Sequence, residues 1–179
     1  ILLINRFNLT FKKKEQIMVV GFIGLGNLGE KLALTLLRNN INLRVHDKLR
    51  ENASKAIENG AQWEDTPIDI AKNSDFIITC LPSPTICSEV MESNVGVIKG
   101  FSAGKIWIEM STTSKKEVLR LSKLIKKVGG NSTDCPVSGG CHRAATGNIS
   151  IFSGCERNVF EIIKPILFIM GKKILHTGE

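Results

Sequence analysis

The stretch VVGFIGLGNLG, residues 19–29, decides the fold predicted for this chain. An apolar run is followed by a segment that contains Gly24, Gly26 and Gly29, and the helix-forming sequence EKLALTLLRN comes directly after it. In a strand, turn and helix with this spacing, the first glycine permits the tight turn and the third permits close packing of helix on strand. The second lets phosphates approach the backbone. The pattern predicts a pyrophosphate seat at the start of a helix, with a purely structural glycine turn as the alternative.

Asp47 strengthens this prediction, because it ends the next apolar run, INLRVHD. A carboxylate about 20 residues after the glycine turn accepts hydrogen bonds from the adenine-ribose hydroxyls of NAD and repels the 2′-phosphate of NADP. Lys48 and Arg50 lie nearby and offset part of that charge. The expected cofactor is therefore NAD, with NADP as a second candidate.

Size and composition limit the classes of protein to which the chain can belong. Its 179 residues suffice for one ordinary domain, and the charged residues of both signs are interspersed. The net charge of +7 is partly local to the first residues, so nucleic-acid binding is not expected. No apolar stretch is long enough to cross a bilayer, and no membrane association is expected.

The five cysteines show no paired metal-ligand spacing and no secretory signal precedes them. They are interpreted as reduced thiols in a cytoplasmic protein, with no metal site expected. These are Cys80, Cys87, Cys135, Cys141 and Cys155.

Residues 1–17 are predicted to form an N-terminal extension that is poorly ordered, ahead of a dinucleotide-binding domain at 18–179. Met18 directly precedes the first predicted strand and is a candidate original start. Because the extension is basic and has a single acid, Glu15, a targeting peptide is the alternative, which would place the protein in the mitochondrial matrix.

Strand-like and helix-like runs alternate after Met18, which is typical of an α/β fold with a doubly wound, mostly parallel sheet of the Rossmann type. Strands are predicted near 19–23, 42–46, 76–81, 105–109, 132–134, 149–153 and 173–176. Clear helical patterns cover 27–38 and 114–128, the second capped by Ser114 with Glu117 three residues later. A helix at 156–169 is expected to be kinked or interrupted at Pro165.

Three more segments follow predicted strands, where such a sheet presents its ligands. They are ITCLPSPT, IEMSTTS and the glycine-rich DCPVSGGCHRAATGNISIF. Each has a structural alternative, such as helix capping by Ser111 to Ser114, but the third offers backbone amides to a carboxylate.

Together with FIGLGNLG, these segments resemble the β-hydroxyacid dehydrogenase family over residues 19–178. The motif DCPVSGG followed by ATGNISIFSG is the most specific element of the resemblance. The resemblance implies an NAD(P)-dependent oxidation of a short hydroxy acid to its semialdehyde, or the reverse reduction. A small hydroxy acid is the implied partner.

The resemblance also assigns roles to individual residues. The pyrophosphate would lie on Gly24, Leu25, Gly26, Asn27 and Leu28, and the adenosine ribose on Asp47. The middle of the cofactor would lie on Leu81 and Pro82, and its nicotinamide side on Thr112. The substrate carboxylate would lie on Ser138, Gly139 and Gly140.

Several positions depart from the family pattern. Leu28 and Leu32 are apolar replacements, Cys135 stands in place of alanine and Glu109 in place of aspartate. Arg143 occupies a common glycine position, where it would alter the loop or add a charge beside the substrate carboxylate.

The implied catalytic lysine lies on a helix after the last strand, in a segment that begins roughly where HTGE ends this chain. An all-helical second domain that forms a homo-oligomer would follow it. No catalytic residue is therefore assigned within the chain, which is expected to be inactive by itself, with His142 weighed as a substitute acid or base. The competing hypotheses are a non-catalytic dinucleotide-binding or interaction module and a truncated, inactive gene product.

Overall fold

A computed structural model describes residues 18–178, which form one sheet with helices on both faces. The expectations for residues 1–17 and for Glu179 lie outside the described residues. The strands are β1 (Val19–Ile23), β2 (Asn42–His46), β3 (Gln62–Trp63), β4 (Phe76–Thr79), β5 (Ile106–Glu109), β6 (Asn131–Asp134), β7 (Val137–Ser138), β8 (Ile149–Gly154) and β9 (Gly171–Gly178). The helices are α1 (Asn27–Arg38), α2 (Ser54–Glu58), α3 (Pro67–Asn73), α4 (Pro84–Glu92), α5 (Val97–Gly100), α6 (Lys115–Lys127), α7 (Gly140–Ala145) and α8 (Arg157–Met170).

The strand order confirms the predicted doubly wound sheet. Strands β3, β2, β1, β4, β5 and β6 lie side by side in that order, and each pairs with its neighbours in parallel. Strand β8 reverses direction, because it pairs antiparallel with β6 and β7, and β9 runs parallel to β8. The carboxyl ends of the parallel strands therefore share one edge of the sheet, where ligands bind in such folds.

Side chains that alternate along the strands build a core on each face of the sheet. In the described residues, one cluster joins Phe22 and Ile78 to α1, α2 and α8, and a second joins Ile77 and Trp107 to α3, α4 and α6. All four of these side chains are buried. Each large apolar side chain removed from water stabilises the fold by about 1.5–3 kcal/mol, so the sheet is fixed from both sides.

Helix α6 begins as its sequence predicts. The hydroxyl of Ser114 accepts a hydrogen bond from the amide of Glu117 at 3.3 Å, the normal N-cap arrangement. The carboxylate of Glu117 bonds Arg120 and Ser88 instead of closing a reciprocal capping box. The Glu117 side chain therefore links α6 to α4.

The structure corrects three local expectations. Helix α8 runs without a break through Pro165, so the predicted interruption is wrong. The strand expected at 76–81 ends at Thr79, because Pro82 and Pro84 lead directly into α4. The segment interpreted as one glycine-rich loop contains β7 and α7. These two elements were too short to show a periodic pattern.

Among residues 18–178, no helix has the length and apolar character required to cross a membrane.

Candidate functional site

The glycine turn between β1 and α1 has the conformation that its sequence predicts. Gly24 has φ +96°, and a Cβ added to it would lie 2.3 Å from the carbonyl oxygen of Cys80. A Cβ on Gly29 would lie 1.9 Å from the carbonyl oxygen of Gly24. A Cβ on Gly26 would meet no heavy atom of the described chain within 4 Å. The space above Gly26 is open, as an approaching phosphate requires.

The start of α1 is arranged to receive an anion. Its N-cap residue is Gly26, and within the described part of the chain no side chain caps it. The first amides of a helix have no partners inside the helix, and the helix dipole makes this end positive. The amides that follow Gly26 therefore remain available for an oxyanion.

Asp47 lies at the end of β2 and is bonded to the glycine turn. Its Oδ2 accepts a hydrogen bond from the Leu25 amide at 2.6 Å. Its Oδ1 accepts from the Leu49 amide and from Asn52 Nδ2, both at 2.9 Å. A carboxylate offers about four acceptor positions, so the three bonds leave room for one hydroxyl donor.

A cleft of about 560 Å³ opens beside this turn. Glu30 lies in its wall within reach of two lysines, and hydrogen bonds from Lys31 and Lys55 lower the pKa of the Glu30 carboxyl. Glu51 also lines the cleft, so two carboxylates balance two lysines there before an anion binds. Its lining includes Leu25, Gly26, Asn27, Asn52 and Cys141.

The ends of β4 and β5 are joined further along the same edge. The Leu81 amide donates to Ser111 Oγ at 2.7 Å. Pro82 and Thr112 are exposed beside this contact. The structure thus brings together the segment predicted to hold the middle of the cofactor and the segment predicted to hold its nicotinamide side.

The predicted substrate loop lies beyond β6. Ser138 is exposed at the end of β7, Gly139 is the N-cap of α7 with φ +131°, and Gly140 is the first residue of α7 with φ +71°. A Cβ on Gly139 would lie 2.6 Å from Cδ of Arg143, so the arginine side chain covers this glycine. Thr35 of α1 donates to the Ala144 carbonyl at 2.9 Å and so fixes α7 against α1.

The three histidines differ in their surroundings. His46 Nδ1 lies 2.9 Å from the Glu64 carbonyl, and His176 Nε2 lies 2.8 Å from the Cys155 carbonyl, so both have structural partners. His142 is exposed on α7 next to Cys141.

Sequence reasoning missed part of this edge. It did not identify the cleft residues Glu30, Lys31, Asn52 and Lys55, because isolated polar residues on short helices carry no motif. It also missed the buried side-chain contacts of Glu109. All five cysteines are free thiols, and no cluster of three or more candidate metal ligands occurs among residues 18–178.

The parallel sheet, the glycine turn and the acidic residue bonded to it define a dinucleotide-binding domain of the Rossmann class. Residues 19–178 match the family described as the NAD binding domain of 6-phosphogluconate dehydrogenase, and the chain belongs to this family. Its cofactor is accordingly NAD(P).

Comparisons with individual proteins agree with this membership. The chain is 34% identical over 165 residues to 2-(hydroxymethyl)glutarate dehydrogenase of Eubacterium barkeri. The aligned residues cover 92% of this chain and 55% of that protein. It is 35% identical over 159 residues to the mitochondrial 3-hydroxyisobutyrate dehydrogenase of Rattus norvegicus. The aligned residues cover 89% of this chain and 48% of the rat protein. The relatives are hydroxyacid dehydrogenases, and the chain spans about half of their length.

A solved structure shows the same fold with a cofactor. Psf3 in complex with NADP+ and 2-OPP superimposes with a TM-score of 0.86 at 25% identity, over 89% of this chain and 57% of that chain. The resemblance stated from the motifs is thus confirmed at the level of the family.

Proposed function

We propose that residues 18–178 form the cofactor-binding part of an NAD(P)-dependent oxidoreductase that converts a short hydroxy acid and its semialdehyde into one another. The observation that carries this proposal is the open space at Gly26, between uncapped helix amides and an Asp47 carboxylate with one free acceptor position. This arrangement accommodates a pyrophosphate and the sugar attached to it.

The names of two relatives suggest the class of substrate. In both 2-(hydroxymethyl)glutarate and 3-hydroxyisobutyrate, the carbon of a primary alcohol is bonded directly to a carbon that bears a carboxylate. Oxidation of such an alcohol moves a hydride from carbon to the nicotinamide ring and a proton from the hydroxyl to a base, which leaves an aldehyde. We infer the same class of substrate here.

Each segment of the sheet edge has a proposed role in this reaction. The amides of residues 24–28 hold the pyrophosphate, and Asp47 holds the adenosine ribose, which favours NAD over NADP. Leu81 and Pro82 lie at the middle of the cofactor, where its nicotinamide half begins, and Thr112 lies on the nicotinamide side. The backbone of Ser138, Gly139 and Gly140 binds the substrate carboxylate, and Arg143, whose aliphatic side chain covers Gly139, adds positive charge there.

The proton transfer requires a positioned acid or base, which contributes typically 10²- to 10⁴-fold to the rate. In the proposed enzyme this group is the lysine that the family resemblance implies. His142 is the substitute candidate within the described chain, since it lies on α7 close to the substrate loop.

Two glycine variants test the cofactor site as a matched pair. Alanine at Gly26 meets no atom of the described protein, so Gly26→Ala should keep the thermal stability of the fold. It should weaken NADH binding about tenfold or more, because its methyl group occupies the space of the phosphates. Gly29→Ala should lower stability and binding together, since its Cβ overlaps the Gly24 carbonyl.

Isothermal titration with NADH and NADPH, combined with thermal melts, measures both effects. Absence of saturable binding of either dinucleotide to the unmodified chain would overturn the proposed function. Unchanged affinity in Gly26→Ala would remove this turn from the binding site.

A further inference from the structure

Glu109, at the end of β5, is a fully buried carboxylate, with 0% of its surface exposed. Its Oε2 accepts hydrogen bonds from Thr79 Oγ1 at 2.8 Å and from the Cys87 thiol at 3.0 Å. Its Oε1 accepts from the Ser111 amide at 2.6 Å. The two oxygens thus contact β4, α4 and the segment after β5.

The donors around Glu109 are oriented by their own surroundings. The indole Nε1 of buried Trp107 donates to Thr79 Oγ1 at 2.8 Å, which directs the Thr79 hydroxyl hydrogen toward Glu109. Burial, and after it the negative charge of Glu109, raises the pKa of the Cys87 thiol, so this thiol stays protonated and donates. A buried carboxylate requires several such bonds to offset the loss of its hydration.

This network reaches the open edge of the sheet through Ser111. The Ser111 amide is bonded to Glu109, and the Ser111 hydroxyl accepts from the Leu81 amide at 2.7 Å. Leu81 is followed by exposed Pro82, and Ser111 is followed by exposed Thr112. One buried carboxylate therefore holds the segment after β4 and the segment after β5 at a fixed separation.

We infer that Glu109 is a positioning residue for the nicotinamide half of the cofactor, acting through Ser111 on the two segments that flank this half. This inference rests on the proposed function. Glu109 touches neither cofactor nor substrate, and its effect is to keep Leu81, Pro82 and Thr112 in the arrangement that the nicotinamide ring requires.

Glutamine at position 109 tests the role of the carboxylate. It keeps the size of the side chain but replaces one acceptor oxygen with an NH₂ donor. Three donors point at Glu109, so at least one of them loses its partner inside the core, and the Ser111 segment loosens. Ser111→Ala removes only the bond to the Leu81 amide and leaves the amide bond to Glu109 in place.

The measurement compares NADH with ADP-ribose, which has the adenosine and both phosphates but no nicotinamide. Titrations follow heat for both ligands and the fluorescence of the dihydronicotinamide ring for NADH. We expect Glu109→Gln and Ser111→Ala to weaken NADH binding about five- to tenfold and ADP-ribose binding less than twofold. The NADH fluorescence enhancement on binding should fall in both variants.

Ile125→Val is the control for a general loss of core packing. Ile125 is buried in the same cluster as Trp107 but is not part of the Glu109 network. Its variant should keep the NADH to ADP-ribose affinity ratio of the unmodified chain, even where its melting temperature falls.

The outcomes separate the two proposals. If the unmodified chain binds neither NADH nor ADP-ribose, the proposed function fails, and this inference fails with it. If the unmodified chain binds both ligands, and Ser111→Ala and Glu109→Gln leave the affinity ratio unchanged, the proposed function stands and the positioning role is overturned. Should Glu109→Gln fail to fold, an unchanged ratio in Ser111→Ala still overturns the role, because Ser111 is the link through which Glu109 is proposed to act.

Discussion

At the scale of single residues, Asp47 connects two parts of the proposed cofactor site. Its carboxylate holds the Leu25 amide of the glycine turn while it also accepts from Leu49 and Asn52 at the exit of β2. A ribose hydroxyl would take the acceptor position that remains. The same side chain therefore shapes the turn and, in the proposed site, would distinguish between cofactors.

Asp47→Asn should weaken NAD binding relative to NADP binding. The neutral amide accepts fewer hydrogen bonds from the ribose and no longer repels a 2′-phosphate. Because both dinucleotides share the pyrophosphate seat, any distortion of the turn affects them equally, so the ratio of their dissociation constants isolates the ribose contact. A ratio equal to that of the unmodified chain would exclude Asp47 from cofactor discrimination.

Asp134 carries a prediction about pH. Burial, and after it the charge of Glu109 on the neighbouring strand, raises the pKa of Asp134 to about 6 from an ordinary value of 3.8. Because the folded state binds this proton more tightly than the unfolded state does, protonation of Asp134 stabilises the fold. This stabilisation is fully present below pH 3.8 and is lost as pH rises through about 6.

Asp134→Asn should therefore stabilise the fold at pH 7, by on the order of 1 kcal/mol after allowance for solvent screening of this half-buried group. The difference in unfolding free energy between variant and unmodified chain should shrink toward pH 4. Urea unfolding at a series of pH values measures it. A difference that does not vary with pH would contradict the raised pKa.

At the scale of the elements, the helices differ in how far local sequence specifies them. Helix α6 has a cap at Ser114 and an apolar stripe, and it forms as predicted. Helix α8 contains Pro165 yet continues to Met170, because Ile163, Ile166 and Leu167 are fully buried against the sheet. Tertiary packing here outweighs a local helix-breaking residue.

Pro165→Ala should stabilise the fold by about 1–3 kcal/mol, because alanine restores an amide to the interior of α8 and removes the steric conflict of the ring. Chemical denaturation measures the gain. Pro84→Ala is the matched control, since Pro84 lies in the first turn of α4, where an amide has no partner in the helix, and no gain is expected. Equal stability of Pro165→Ala and the unmodified chain would show that α8 has already adapted to the proline.

At the scale of the whole molecule, the sheet couples the site to both cores. The glycine turn packs on the cluster that contains α1 and α8, whereas Glu109 lies beside the cluster that contains α4 and α6. A ligand that spans the edge from Gly26 to Thr112 therefore contacts segments anchored on both faces, and its binding should stabilise the fold as a unit.

We expect NADH at a hundred times its dissociation constant to add about 2.7 kcal/mol to the free energy of unfolding. For a domain of this size the melting temperature should then rise by about 5–10 °C. Differential scanning calorimetry measures the shift, with Gly26→Ala as the control: a tenfold weaker affinity leaves about 1.4 kcal/mol at the same concentration, so at most about half of the rise is expected. An equal rise in that variant would indicate binding elsewhere on the molecule.

The sequence by itself determined the alternation of strands and helices, the glycine turn at 24–29 and Asp47 as the acidic residue that accompanies this turn in a dinucleotide site. These features depend on neighbours in the chain, on steric freedom at glycine and on the period of apolar residues. It also carried the family resemblance, because the motifs after β4, β5 and β6 are contiguous stretches.

Only the tertiary structure decided which distant side chains meet. The contact of Asp47 with Leu25 spans 22 positions, and those of Glu109 with Thr79 and Cys87 span 30 and 22. The pairing of β6, β7 and β9 around β8 is likewise a long-range choice. Such contacts form because a polar group that is buried away from water requires a hydrogen-bond partner in the folded core, and this partner can lie anywhere in the chain.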